Sequence, residues 1–80
     1  MKIPRNLTGR ELVHLLSPFG YSISRQTGSY IRLTTKQKGV HHITIPDHNP
    51  LRIGTLSSIL NEVALHNNMT KGELVEQIFV

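Results

Sequence analysis

The sequence predicts an α+β domain in which helices pack on one face of a three-stranded antiparallel sheet. Two capping-box signatures, Thr8 with Glu11 and Thr70 with Glu73, mark helix starts near the two ends of the chain. Between them, three short segments change from a helical period to alternation of apolar and polar residues, which is typical of half-buried strands. Eighty residues without cysteine suffice for one such domain, so we expect residues 1–80 to fold as a single unit.

The first helix is predicted to run from Thr8 to about Ser17. The Thr8 hydroxyl accepts from the amide of Glu11, whose carboxylate reaches back to the first turn. An apolar stripe at helical spacing follows, formed by Leu12, Leu15, Leu16 and Phe19. Pro18 disfavours a helical conformation in the residue before it, so the helix should end there.

Three strands are predicted next, over about residues 21–26, 30–34 and 41–45. In the first, Tyr21, Ile23 and Arg25 alternate with polar residues and are expected to share one face. A turn at residues 27–28 and a polar loop at residues 35–39 connect the strands. Consecutive strands with such short connections form an antiparallel meander.

Two helices are predicted to close the chain. Thr55 is the expected cap of the first, whose apolar face is formed by Leu56, Ile59, Leu60 and Val63. The second begins at the Thr70 capping box, and its apolar face is formed by Leu74, Val75, Ile78 and Phe79. The order α-β-β-β-α-α therefore predicts helices covering one face of the sheet.

Alternation along the second and third strands assigns their side chains to two faces. Four aliphatic residues are expected to face the helices: Ile31, Leu33, Ile43 and Ile45. The opposite face, called the open face below, then carries Tyr30, Arg32, Thr34, His42 and Thr44. Pairing the strands about their loop places Tyr30 opposite Thr44 and Arg32 opposite His42.

Charge is unevenly distributed along the chain. Residues 1–54 hold eight Lys and Arg against two Asp and Glu, a net +6, whereas residues 55–80 hold one against three, a net −2. Arg25, Lys36 and Lys38 are expected near the edges of the open face. Because arginine binds phosphate through two hydrogen bonds and tyrosine stacks on bases, this face suits a phosphodiester backbone. The alternative is an ordinary polar face with cross-strand pairs.

Histidine is the main candidate for acid–base chemistry, because imidazole titrates near neutral pH. His41, His42 and His48 are close in sequence, but His41 and His42 point to opposite faces and no cysteine supports a metal site, so we expect neither metal nor cofactor. His14 and His66 are expected to be ordinary surface residues. No apolar run approaches the roughly 20 residues of a membrane helix. The N-terminus lacks the apolar segment of a signal peptide, which indicates a cytoplasmic protein without a membrane partner.

Three motifs, taken together, resemble a known family. They are residues 25–33 (RQTGSYIRL), 43–48 (ITIPDH) and 53–60 (IGTLSSIL). The chain resembles the HicA (YcfA-like) mRNA interferase toxins over nearly its whole length. The resemblance implies a fold like that of double-stranded-RNA-binding domains, α-β-β-β-α, here with an extra short C-terminal helix. It also implies a type II toxin–antitoxin system, with cleavage of mRNA without a metal and a HicB antitoxin that covers the active site.

The chain departs from this family at one position. The family's catalytic histidine follows a Gly-Ser pair, and here that position is Tyr30. A tyrosine with a pKa near 10 is a poor general base at neutral pH. Three interpretations follow: an inactive homologue that still binds RNA and antitoxin, proton transfer by a neighbour such as His42 or Arg32, or acid–base chemistry by His48. The alternative for His48 is a hydrogen bond that orders its loop.

The leading hypothesis is therefore an RNA-directed toxin. The catalytic candidates are Tyr30, His42 and His48, and the RNA-binding candidates are Arg25, Gly28, Ser29, Arg32, Lys36 and Lys38. The last helix has no basic cluster at its start, so single-stranded mRNA is favoured over duplex RNA. The alternatives are a non-catalytic module that binds RNA or antitoxin, and a scaffold domain that binds only proteins.

Overall fold

The computed structural model describes residues 3–79, so that Lys2, one of the charges counted above, lies outside them. The elements are α1 (Gly9–Leu16), β1 (Ser22–Thr27), β2 (Tyr30–Thr35), β3 (His41–Pro46), α2 (Ile53–His66) and α3 (Lys71–Ile78). A short 3₁₀ helix at Ser17–Phe19 follows α1. The strands form one antiparallel sheet in the order β1-β2-β3, which confirms the predicted α+β class. No helix within residues 3–79 has the length and apolar character needed to cross a membrane.

Helices α1 and α3 begin with the capping boxes that the sequence predicts. The Thr8 hydroxyl accepts from the amide of Glu11 at 3.1 Å, and the Glu11 carboxylate accepts from the amide of Thr8 at 2.9 Å. Thr70 and Glu73 repeat the two bonds at 3.1 and 2.8 Å. Because each carboxylate accepts from a backbone amide and lies near the capping hydroxyl, the pKa of Glu11 and that of Glu73 are lowered.

Helix α2 begins earlier than predicted. Thr55 lies inside the first turn, and Arg52 occupies the cap position without a side-chain hydrogen bond, so the predicted cap was wrong. The amide of Leu51 donates to the carbonyl of Leu7 at 2.8 Å, and the Leu51 side chain is buried. This attachment directs the chain into the helix before Thr55. The predicted apolar face is nevertheless buried: Leu56, Ile59, Leu60 and Val63.

The core fills the face of the sheet that the helices cover. Its strand residues are Ile31, Leu33, Ile43 and Ile45, and its helical residues include Leu12, Leu16, Leu56, Leu60, Val63 and Leu74. Gly9 allows α1 to approach β3 closely, because a Cβ there would stand 2.1 Å from the carbonyl oxygen of Pro46. The amide of Gly9 donates to the carbonyl of His48 at 3.0 Å. Helix α1 is therefore fixed directly on the end of β3.

Strand β1 differs from the predicted half-buried pattern. All six of its residues are exposed, because α1 and α2 pack against β3 at the other edge of the sheet and leave β1 largely uncovered. Its pairing with β2 contains a bulge: Ile23 is opposite Leu33, Arg25 is opposite Arg32, and Ser24 is the extra residue between them. Ile23 and Arg25 therefore lie on opposite faces, although simple alternation had placed them on one.

The β2–β3 pairing is shifted by two residues from the predicted register. Tyr30 is opposite Pro46 instead of Thr44, and Arg32 is opposite Thr44 instead of His42. A two-residue shift leaves every side chain on its predicted face, so the alternation pattern is the same in both registers.

The loop between β2 and β3 explains this shift. Thr35 pairs with His41, so the loop spans residues 36–40 instead of the predicted 35–39. Lys38 and Gly39 adopt positive φ values of 57° and 97°, which give the chain its reversal at this point. Moving a loop of unchanged length by one residue along the chain shifts the pairing of the two strands by two residues.

Candidate functional site

The strand register arranges the open face in three rows. The tyrosine row is Thr27, Tyr30 and Pro46, the arginine row is Arg25, Arg32 and Thr44, and the histidine row is Ser22, Thr34 and His42. Residues directly opposite one another in an antiparallel sheet point to the same face. Neighbouring rows are two residues apart along β2 and β3, which is roughly 7 Å.

The β1–β2 turn presents the tyrosine row at one end of the open face. Gly28 has a φ of 55° and Ser29 does not have a positive φ, which fits a type II′ hairpin turn. Tyr30 follows the turn directly and keeps 56% of its surface exposed. The amide of Asp47 donates to the carbonyl of Ser29 at 2.6 Å, so the loop after β3 is fastened beside this turn.

The arginine row brings two positive charges together. Arg25 and Arg32 are direct cross-strand partners, and both are exposed. Like charges in this arrangement destabilise a strand pair by roughly 0.2–1 kcal/mol. Within residues 3–79 the one ion pair joins Arg10 to Asp47, at 3.2 Å. The two arginines of the row thus have no carboxylate partner in the part of the chain that the structure describes.

The histidine row carries a chain of hydrogen-bonded side chains. Nδ1 of His42 lies 2.7 Å from Oγ1 of Thr34, which lies 2.8 Å from Oγ of Ser24. The Ser24 hydroxyl donates to the carbonyl of Arg32 at 3.3 Å. His42 itself is exposed. An accessible imidazole is therefore held in place one row beyond the two guanidinium groups.

A groove of about 580 Å³ runs along β3 between the open face and α2. Tyr30 and His42 line it from the sheet, and Ser58 and Glu62 line it from the helix. The groove joins the tyrosine row to the histidine row along the edge of the sheet. A ligand in it would contact the phenol and the imidazole together.

The two loop lysines have different positions. Lys36 lines a second groove of about 520 Å³ together with Ser24 and Thr34, and so extends the positive charge beyond the histidine row. The Nζ atom of Lys38 instead donates to the carbonyl of Asn67 at 3.1 Å, at the end of α2. Lys36 therefore lies beside the histidine row, whereas Lys38 is held at the end of α2.

His48 lies outside the three rows. Its carbonyl accepts from Gly9, but its exposed side chain makes no hydrogen bond to another described residue. The backbone, and not the predicted imidazole hydrogen bond, orders this loop. His41 and His42 point to opposite faces, as predicted, since one contacts Tyr21 and the other Thr34. Among residues 3–79, no three His, Asp or Glu side chains are placed as a metal site requires.

His66 has a structural role that the sequence did not predict. Its ring stacks on that of His41 with 4.5 Å between centroids, and its Nε2 donates to the carbonyls of Gln37 and Gly39 at 3.0 and 3.1 Å. The Tyr21 hydroxyl lies 2.7 Å from Nδ1 of His41. Burial, and then the nearby His66, lower the pKa of His41, while burial raises the pKa of Tyr21 to about 12. This cluster fastens the β2–β3 loop to α2.

Comparison with known proteins gives one finding on the family. A family model described as the HicA toxin of bacterial toxin–antitoxin systems matches residues 9–65. The matched region begins at the first residue of α1, contains all three strands and ends within the last turn of α2. Searches of curated proteins and of solved structures found no match to the chain.

Proposed function

Because the chain belongs to the HicA family of toxins of bacterial toxin–antitoxin systems, we propose that it binds single-stranded mRNA on its open face and cleaves it. The proposed toxin is a metal-independent endoribonuclease of the cytoplasm. Its proposed partner is a HicB antitoxin, which neutralises it by covering the same face. The observation that carries this proposal is the arginine row, where Arg25 and Arg32 lie opposite each other without a carboxylate.

A phosphodiester supplies the negative charge that the arginine row lacks. Guanidinium groups bind phosphate oxygens through paired, charge-assisted hydrogen bonds. Such bonds contribute about 1.5–3 kcal/mol each, which outweighs the repulsion between Arg25 and Arg32. A phosphate between these side chains would convert an unfavourable pair into a binding site.

The rows on either side suit the rest of a nucleotide. The phenol of Tyr30 is exposed and can stack on a base, an interaction worth about 1–3 kcal/mol in single-strand binding. Lys36 continues the positive charge on the far side of the histidine row. Stacking, phosphate binding and an imidazole thus follow one another across the open face.

The same arrangement supports cleavage by the ribose 2′-hydroxyl. Unprotonated His42 takes the proton of this hydroxyl, and the oxygen attacks the adjacent phosphorus. The bond from phosphorus to the 5′-oxygen breaks, and a 2′,3′-cyclic phosphate forms. Tyr30, on the other side of the arginine row, donates its phenolic proton to the departing 5′-oxygen. Arg25 and Arg32 stabilise the negative charge that develops on the phosphoryl oxygens.

An RNA cleavage assay in the presence of a chelator tests this proposal. The unmodified protein should cleave single-stranded mRNA. His42→Gln should lower the rate by about 100-fold or more, the contribution of one general base, with little change in RNA binding. His14→Gln, at an exposed position of α1, is the matched control and should cleave normally. Full activity in His42→Gln would contradict the role given to His42.

Binding without turnover is the second candidate function. It is favoured by Tyr30, which stands where the family resemblance places a catalytic histidine. In this case the unmodified protein binds RNA but leaves it intact, and Tyr30→His cleaves it. Failure of either protein to bind RNA at low salt would support a partner that is only protein.

A further inference from the structure

The side chains beside His42 determine which of its ring nitrogens carries a proton. The Ser24 hydroxyl must donate to the carbonyl of Arg32, because a carbonyl oxygen only accepts. Ser24 therefore accepts from the hydroxyl of Thr34, at 2.8 Å. With its one hydrogen used in this way, Thr34 can only accept from Nδ1 of His42, at 2.7 Å.

We infer that Thr34 and Ser24 are positioning residues that hold His42 in its Nδ1–H tautomer and leave Nε2 free to accept a proton. The tautomer is a property of the free protein. Its importance for cleavage rests on the proposed function, in which His42 is the general base. The exposed ring of His42 lines the groove along β3, so the unprotonated nitrogen is available to a bound RNA.

The neighbouring His41 provides an internal comparison. The Tyr21 side chain is buried, and its hydroxyl keeps its proton because burial raises its pKa to about 12. Nδ1 of His41, at 2.7 Å, is the one hydrogen-bond partner of this hydroxyl among the described residues, so Tyr21 donates to it. His41 is therefore held in the opposite, Nε2–H tautomer. Two adjacent histidines on opposite faces of one strand thus take opposite tautomers, because one neighbour accepts and the other donates.

The chemical consequence concerns the fraction of His42 that can act as a base. An imidazole with a proton on Nε2 can donate toward the 2′-hydroxyl but cannot take its proton. Fixing the tautomer through the other nitrogen is how a hydrogen-bond partner prepares a histidine for catalysis. Losing one such hydrogen bond should lower the cleavage rate by about fivefold.

Nitrogen-15 NMR of the histidine-labelled full chain tests the inference without RNA. At about pH 8, where histidine is neutral, His42 should show the Nδ1–H pattern and His41 the Nε2–H pattern. Thr34→Val removes the acceptor, so His42 should shift toward Nε2–H, the form that unconstrained imidazole favours. Thr34→Ser keeps the hydroxyl and should keep the Nδ1–H form.

Two further variants distinguish an effect of the Ser24–Thr34–His42 hydrogen-bond chain from an effect on the fold. Ser24→Ala frees the Thr34 hydroxyl to donate to His42, so the His42 tautomer should again shift toward Nε2–H. Thr44→Val removes a hydroxyl from the neighbouring row, for which no side-chain hydrogen bond to a described residue is found, and should leave the tautomer unchanged. An unchanged His41 spectrum in each variant shows that the sheet and α2 remain folded together.

The inference and the proposed function fail in different ways. An Nε2–H pattern for His42 in the unmodified protein, or an unchanged pattern in Thr34→Val, overturns the inference even if RNA is cleaved. If the protein shows the inferred tautomers but leaves RNA intact, the inference about Thr34 and Ser24 is supported and the nuclease function is contradicted.

Discussion

The two faces of β2 and β3 depend on the register of the sheet in different ways. On the covered face, Ile31 packs against other aliphatic side chains, and a shift of two residues would only exchange its neighbour Ile45 for Ile43. On the open face, the same shift changes which groups meet, because Arg32 lies opposite either a histidine or a threonine. The covered face supplies stability, and the open face holds positive charge that the fold itself does not neutralise.

Truncating Leu33 and Arg32, which are adjacent in β2 but lie on opposite faces, should give the largest difference in the free energy of unfolding. Leu33→Ala should lower the free energy of unfolding by roughly 2–5 kcal/mol, because it leaves a cavity in the core. Arg32→Ala, one position away, should not lower it, because it removes a charge from the arginine row. Urea unfolding of both variants measures the difference, and equal losses would contradict the assignment of the two faces.

Two glycine substitutions compare a position packed against the sheet, Gly9, with one in the open β1–β2 turn, Gly28. Gly9→Ala should destabilise the protein by about 3 kcal/mol, because the new Cβ meets the carbonyl oxygen of Pro46. Gly28→Ala meets no atom within 4 Å and should cost only about 1–2 kcal/mol, because its φ is positive. Thermal unfolding ranks the two variants. The reverse order would mean that α1 does not approach β3 as closely as described.

Removal of the arginine row should raise stability slightly. The double variant Arg25→Gln/Arg32→Gln relieves a like-charge pair, so the free energy of unfolding should increase by roughly 0.2–1 kcal/mol at low salt. The gain should shrink as salt screens the repulsion. Arg5→Gln removes one exposed charge outside the sheet and serves as the control. A clear loss of stability in the double variant would show that the arginines have partners within the protein.

Acidification should weaken the attachment of the β2–β3 loop to α2. Since the pKa of His41 in the folded protein lies below its ordinary value of 6.5, the unfolded chain takes up a proton first. The contribution of His41 to stability is complete above about pH 6.5 and is lost as the pH falls through the folded-state value. Unfolding measured at about pH 7.5 and 5.5 should differ less in His41→Gln than in the unmodified protein.

The groups around His41 explain the direction of this effect. Burial, His66 and His42 lower its pKa, and Glu62 opposes them. His14→Gln is the matched control because this residue is exposed on α1. An equal pH dependence in His41→Gln and the unmodified protein would place the titrating group elsewhere.

The sequence predicted the covered face well because burial leaves a periodic pattern. Ile43 and Ile45 alternate with polar residues, and the capping boxes at Thr8 and Thr70 depend on contacts three residues apart. Such local rules can be read directly from the chain. The start of α2 could not be read in this way, because it depends on the distant contact between Leu51 and Leu7.

The candidate site was only partly predictable for the same reason. Tyr30, Arg32 and His42 were assigned to the open face by alternation alone. The position of Arg25 required the bulge at Ser24, which alternation does not reveal. The stacking of His66 on His41 joins residues far apart in the chain, and no sequence motif indicates this contact.

RNA binding by the arginine-row variant tests the central claim most directly. Affinity for single-stranded RNA should fall about 100-fold in Arg25→Gln/Arg32→Gln, since two charge-assisted hydrogen-bonding groups are lost. The slope of log affinity against log salt should become shallower by about 0.7 for each phosphate contact removed, while Lys71→Gln keeps both values. Unchanged affinity and slope in the double variant would contradict the claim that the open face binds RNA through these arginines.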